Sequence, residues 1–178
     1  ATEDSGPEVR AVAPLEDSLS LRQHQSLARL PAPGYRPRVF DPRAGSFALT
    51  FADYGAPLDA PLETRWVVRH RLEAAVEGGP EAEDESIVYY VDRAIPEPIR
   101  GAVLEGASWW AEAFAEAGFP GAFRVELLPE GVHPLDLRFN VIEWVHRATR
   151  GWSYGGGVVD PRTGEMIKGH VSLGSLRV

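Results

Sequence analysis

The residues best suited to metal or acid–base chemistry in this sequence are its five histidines, His24, His70, His133, His146 and His170. No two of them are four residues apart, so the zinc-binding HExxH pair is absent. His70 and His146 each fall in an alternating, strand-like pattern, where a packed or hydrogen-bonded imidazole is commoner than a metal ligand. The sequence therefore predicts no catalytic residue, no metal-binding residue and no cofactor in this chain.

Other chemical motifs are also absent. The chain has no cysteine, which excludes disulfides and thiolate zinc sites. It contains neither a GxSxG nucleophile elbow nor a phosphate-binding GxxxxGK[ST] loop. The glycine-rich run YGGGVVD leads into a strand pattern and not into a helix, so no helix dipole is available to hold an anion. An enzyme that uses Glu143, His146 and Asp160 is a weaker alternative, because their spacing does not place them on one face.

One motif occurs twice. Residues 41–45 and 160–164 both read Asp-Pro-Arg, one variable residue, then Gly. Asp accepts local backbone hydrogen bonds, Pro presets φ for a type I turn, and Gly supplies a positive φ. Both copies are therefore predicted to be hairpin turns. Arg43 and Arg162 are not required by the turn, and we expect them to pair with nearby acids at the surface.

Composition restricts the class of partner. The chain has 178 residues, a net charge of −8 and no block of Lys or Arg, which argues against nucleic acid as a partner. No apolar run approaches the roughly 18 residues that a membrane span requires. The N-terminal sequence ATEDSGPEVR is polar and is not a signal peptide.

The elements that would position these residues fall into two groups. Residues 47–51 and 63–73 alternate between apolar and polar side chains, which predicts strands of a small antiparallel module. An acidic, glycine-containing segment at residues 76–86 is too hydrophilic to pack and predicts a boundary. We therefore expect an N-terminal β module over residues 1–80 and a second unit over residues 81–178.

The second unit begins with the predicted strand 87–91. A long amphipathic helix follows from Ile99, with Trp110 on its apolar face, and ends at Gly118 before Pro120. Strands are then predicted at 123–128 and 137–146, and in a closing hairpin. The predicted fold class is α+β, a twisted mixed β-sheet backed by one long amphipathic helix and preceded by the small antiparallel module.

Three stretches of this second unit resemble a known family: IVYYVDRAIPEPIRGAVLEGASWWAEAFAEAGFPGAFRVELLP, then DLRFNVIEWVHR, then YGGGVVDPRTGEMIKGHVSL. They are similar to the N-terminal half of a metzincin or matrixin-like zinc metallopeptidase domain, and most similar to a bacterial family of large exported zinc-dependent metalloproteases. The preceding stretch, with LPAPGYRPRVFDPRAGSF and RWVVRHRLE, resembles the domain before the peptidase in that family. The resemblance covers about residues 25–178.

The resemblance implies a peptide hydrolase that is secreted or periplasmic and acts on peptide or protein substrates. In such enzymes this half forms the upper wall of the cleft, and an edge strand binds extended substrate by strand addition. We expect that strand to be Met166–Ser172. The substrate-binding residues would then be Ile167, Lys168, Gly169, His170 and Val171.

The chain departs from the family at the zinc motif. In metzincins this motif follows the edge strand, but it does not occur in this sequence up to Val178. We therefore expect a fragment that is inactive alone, with zinc present in the full-length parent. The alternative is a free-standing, non-catalytic module that binds peptides or proteins. Apolar surface left bare where the zinc helix would pack is expected to favour dimerisation.

Overall fold

The computed structural model describes residue 20 and residues 22–72, 86–146 and 152–177. The fold is α+β, with a two-stranded and a five-stranded sheet, which confirms the predicted class. The predicted boundary at residues 76–86 lies almost wholly outside the described ranges. Within those ranges, no helix has the length and apolar character needed to cross a membrane.

The N-terminal module consists of β1 (Ala48–Ala52) and β2 (Glu63–Val67), paired antiparallel. Trp66 of β2 pairs with Leu49 of β1 and also with Val39. Because a strand residue has one neighbour on each side, Val39 and β1 lie on opposite sides of β2. The first Asp-Pro-Arg copy therefore carries the chain across β2 through the 3₁₀ turn Pro42–Ala44, and its prediction as a hairpin is wrong.

The five-stranded sheet is formed by β3 (Ile87–Val91), β4 (Phe123–Leu127), β5 (Asn140–Val145), β6 (Tyr154–Val159) and β7 (Met166–Gly174). Its order is β4-β3-β5-β7-β6. Every neighbouring pair is parallel except β6 and β7, which are antiparallel. The second Asp-Pro-Arg copy joins β6 to β7, so here the predicted hairpin is confirmed.

The prediction that Met166–Ser172 forms an edge strand is wrong. The segment Met166–Ser172 belongs to β7, which pairs with β5 on one side and with β6 on the other. The strand at the edge is β6, built from the glycine-rich run that the sequence pattern treated as an approach to the hairpin. Parallel pairing between β5 and β7 causes the difference, and alternation along one strand does not report such pairing.

The helical segment packs on one face of this sheet as α1 (Ile99–Ser108) and α2 (Trp110–Glu116). The core it covers is centred on Val91, Ile95 and Ile142. A hydrogen bond from Glu112 N to Trp109 O tightens the backbone at the break. Trp110, predicted on the core face, lines a cavity together with Phe114 and the sheet residue Ile142, but it remains 62% exposed.

Both Asp-Pro-Arg copies contain the same ion pair. Asp160 Oδ1 accepts from Arg162 N at 2.9 Å, and the Arg162 guanidinium binds both carboxylate oxygens of Asp160. Asp41 and Arg43 repeat these contacts. The expected pairing of the arginines with acids is therefore confirmed, and the partner is the aspartate of the same motif. The copies differ in burial, because the Asp160 side chain is 1% exposed and that of Asp41 is 44% exposed.

This difference predicts unequal costs for the same substitution. Asp160→Asn is expected to lower the free energy of unfolding by about 1–2 kcal/mol at pH 7, because it removes buried, charge-assisted hydrogen bonds. Hydrogen bonds from Arg162 hold the pKa of Asp160 below its usual range. Stability from a carboxyl group with a lowered pKa is present above its unfolded value, about 3.9, and is lost as pH falls through the folded value. The difference in the free energy of unfolding between the wild type and Asp160→Asn should therefore become smaller in acid.

Urea denaturation at pH 7 and at pH 3 measures this difference in the free energy of unfolding. Asp41→Asn is the matched control, since it alters the same contacts at an exposed site and should change stability less than Asp160→Asn. Equal losses at the two positions would contradict the assigned role of burial.

Candidate functional site

The edge strand β6 differs from the opposite edge of the same sheet. Residues 155–158 are exposed, and Tyr154–Val159 contains three glycines and no charged residue. At the other edge, β4 carries Arg124 and Glu126, paired at 2.8 Å. Proteins commonly place charges on edge strands to prevent pairing with other chains. β4 is protected in this way, and β6 is not.

The three glycines of β6 have different structural roles. A Cβ on Gly157 would lie 2.4 Å from the Lys168 carbonyl oxygen, so the close approach of β7 requires glycine there. A Cβ on Gly156 would meet nothing within 4 Å, and one on Gly155 would make only ordinary contact with His170 O at 3.9 Å. Two of the glycines therefore leave open space beside the edge and are not required by packing.

On the sheet face opposite the helices, β6 borders a cleft of about 510 Å³. Leu135 and Leu137 line one side of it, Tyr154 and Val158 another, and His24 also contributes. Lys168 lies at its base with 4% exposure, and its Nζ donates to Pro134 O at 2.5 Å and to Asp136 O at 2.7 Å. Burial lowers the pKa of Lys168 from its ordinary value. Lys168 thus ties the loop at residues 134–136 to the sheet.

The five predicted substrate-binding residues all lie on the interior strand β7. His170 and Lys168 line the cleft described above, whereas Gly169 and Val171 lie toward the helices, and Ile167 is half-buried. A Cβ on Gly169 would lie 2.0 Å from Tyr89 Oη, so the Tyr89 side chain crosses β7 at this glycine. None of the five belongs to the edge strand.

His170 takes part in the nearest approach to an acid–base pair in this region, with Nε2 lying 3.0 Å from Glu143 Oε2. Ser172, two residues further along the same strand, is 1% exposed, and its hydroxyl has no hydrogen-bond partner among the described residues. Ser172 is therefore not hydrogen-bonded to His170, as the nucleophile of a catalytic triad would be to its base.

The weaker enzyme alternative receives no geometric support. Glu143 pairs with His170, His146 with Ser175 at 2.6 Å, and Asp160 with Arg162. In the described ranges, no three His, Asp or Glu side chains form a group that could hold a metal.

On the helix side, β6 borders a second cleft, of about 370 Å³. Phe47 and Val68 of the N-terminal module form one wall, and Met166 and Val171 of β7 contribute to the others. Tyr89 also lines it and lies within 3.3 Å of His70 Nε2 through its hydroxyl. Burial raises the pKa of Tyr89 and lowers that of His70, which favours the neutral form of both.

The N-terminal module is attached to the base of the β6–β7 hairpin. Arg69 N donates to Gly164 O at 3.2 Å, and Met166 N donates to Arg69 O at 2.8 Å. Arg71 binds Glu165 through two hydrogen bonds, of 2.8 and 3.0 Å. These contacts therefore hold the N-terminal module, which contains Phe47, against the hairpin that contains the edge strand β6.

Sequence reasoning missed both β6 and the contribution of Phe47 and Val68. The signal for β6 was present, since an uncharged run with three consecutive glycines is unprotected if it forms an edge. No comparable signal existed for Phe47, because its position beside β6 arises from contacts between segments more than 100 residues apart.

Comparison with known proteins covers only the N-terminal part of the chain. Residues 4–75 match the family described as "Domain of unknown function (DUF5117)". No curated protein and no solved structure matches the chain. The chain is thus similar, over residues 4–75, to a domain family whose function is unknown.

Proposed function

We propose that this chain forms the non-catalytic, substrate-binding wall of a zinc-dependent metalloendopeptidase cleft, and that an extended peptide adds to the outer edge of β6. The zinc and its general base are assigned to residues other than these, because the sequence has no HExxH motif. The metal part of the proposal rests on the sequence resemblance. The peptide-binding part rests on the geometry of the sheet.

The observation that carries the proposal is the contrast between the two sheet edges. β4 is charged and β6 is uncharged, exposed and flanked by a cleft on each face. Strand addition needs accessible main-chain donors and acceptors on one edge, and space on both faces for alternating side chains. β6 provides both, and because no described strand pairs with its outer side, the sheet can accept one more strand there.

Blocked hexapeptides of alternating Thr and Leu, titrated into the isotope-labelled protein, test this proposal by NMR. We expect amide shifts to concentrate in residues 155–158. Two further peptides are N-methylated at every second residue, in opposite phases. One phase should bind about tenfold or more weakly, since each main-chain hydrogen bond contributes about 1 kcal/mol, whereas the other phase should bind almost normally.

Equal binding by both methylated peptides, or shifts centred on β4, would contradict strand addition at β6. The purified chain is also expected to leave casein intact. Cleavage that a chelator abolishes would show that the chain is itself a peptidase and would refute its assignment as a non-catalytic wall.

A further inference from the structure

We infer that the N-terminal module completes the peptide site: Phe47 and Val68 form one wall of a subsite that takes a large apolar side chain of the bound peptide. This inference rests on the proposed function, and it adds the class of peptide selected and the part of the chain that selects it.

The position of the subsite follows from the register of the sheet. Gly155 pairs with Val171 and Gly157 with Gly169, so these two glycines lie on the helix side of β6. Side chains of an added strand alternate between the two faces, in step with those of its neighbour. Every second peptide side chain would therefore lie on the helix side of the sheet, where Gly155 leaves space beside the cleft.

The chemistry of this cleft is apolar. Among its lining residues there is no Asp, Glu, Lys or Arg. The polar ones are Tyr89 and His170, and alternation along β7 places the His170 side chain on the opposite face. Phe47 is 84% exposed, so a large apolar surface is available to a ligand at this wall. The cleft on the opposite face differs, because it contains Lys168 and His24 as well as His170. The helix-side cleft therefore has fewer polar side chains than the opposite cleft and favours an apolar peptide side chain more strongly.

The wall has a fixed position relative to β6. Val68 N donates to Phe47 O at 2.9 Å, which joins the two wall residues to each other. The next residue, Arg69, is bonded through its main chain to Gly164 and Met166 at the base of the hairpin. A subsite built on paired backbone selects better than one built on a loop, because less ordering is needed on binding.

The experiment measures binding of four blocked pentapeptides, Thr-Thr-X-Thr-Thr with X as Leu, Phe, Thr or Asp, by fluorescence anisotropy. The wild-type chain should bind the Leu and Phe peptides about tenfold more tightly than the Asp peptide, as expected for burial of one large apolar side chain. Phe47→Ala should remove most of that preference, because it weakens binding of the Leu and Phe peptides more than binding of the all-Thr peptide.

Two matched controls separate the subsite from general effects. Phe51→Ala removes an aromatic ring from the same module that does not line the cleft, and it should preserve the preference. Gly155→Val should fill the subsite and abolish the preference, whereas Gly156→Val points to the other face and should retain it.

The outcomes distinguish the two proposals. Equal affinity of the wild-type chain for the Leu and Asp peptides, or a preference that survives Phe47→Ala, overturns the subsite while peptide binding stands. Absence of binding by all four peptides overturns both.

Discussion

Replacing Gly164 by alanine is expected to lower the free energy of unfolding by about 3 kcal/mol. Gly164 has φ of +79°, which disfavours any residue with a Cβ. That Cβ would also lie 2.7 Å from the Val67 carbonyl oxygen and 3.1 Å from Trp66 Cβ. Neither neighbour can move easily, because both belong to β2. The substitution therefore forces the N-terminal module away from the hairpin.

Gly45 is the matched control, since it occupies the same position in the first Asp-Pro-Arg copy. Its φ is +66°, but a Cβ there would meet nothing within 4 Å. Gly45→Ala should cost only the conformational strain, about 1 kcal/mol. Urea denaturation of both variants measures the difference. Equal losses would show that the approach of Gly164 to β2 does not contribute to stability.

The second large effect is expected at Arg71. Arg71→Met keeps most of the apolar stem but removes the partner of Glu165, whose side chain is 8% exposed. Removing one member of a buried ion pair leaves an uncompensated charge, so we expect the free energy of unfolding to fall by about 2–3 kcal/mol. This value is at or below the usual range for a buried pair because the Arg71 side chain is 31% exposed. Adding Glu165→Gln to Arg71→Met should recover part of this loss.

A double-mutant cycle on these positions, followed by urea denaturation, gives the coupling energy directly. The exposed pair of Arg124 and Glu126 has the same separation of 2.8 Å and serves as the control. Its coupling should stay below about 1 kcal/mol. A coupling between Arg71 and Glu165 as small as that of the control would show that this ion pair does not hold the module to the hairpin.

The contacts made by Gly164 and by the Arg71–Glu165 pair also affect the proposed peptide subsite. Gly164 and Glu165 contact the module that carries Phe47 and at the same time connect β6 to β7. Loosening these contacts should weaken the preference for apolar peptides before it affects main-chain pairing along β6. Stability of the junction and selectivity of the cleft are thus expected to decline together.

Much of the local structure could be predicted from sequence because its causes are local. The predicted strands at residues 47–51 and 87–91 correspond to β1 and β3, and the helical periodicity from Ile99 corresponds to α1 and α2. The turn residues of the second Asp-Pro-Arg copy produced the predicted hairpin. The same Asp-Pro-Arg and Gly residues in the first copy produced a crossing of β2. Turn chemistry determines the bend in the chain, but it does not determine which strands pair on either side of that bend.

The sequence by itself therefore determined the α+β class, the positions of most strands, the helical segment and both bends. The tertiary structure alone decided that β7 is interior, that β6 is the edge, and that Phe47 lies beside it. The physical reason is the range of the interactions involved. Periodicity and turn propensity act within a few residues, whereas strand order and module contact depend on pairing between distant segments, such as Arg71 with Glu165.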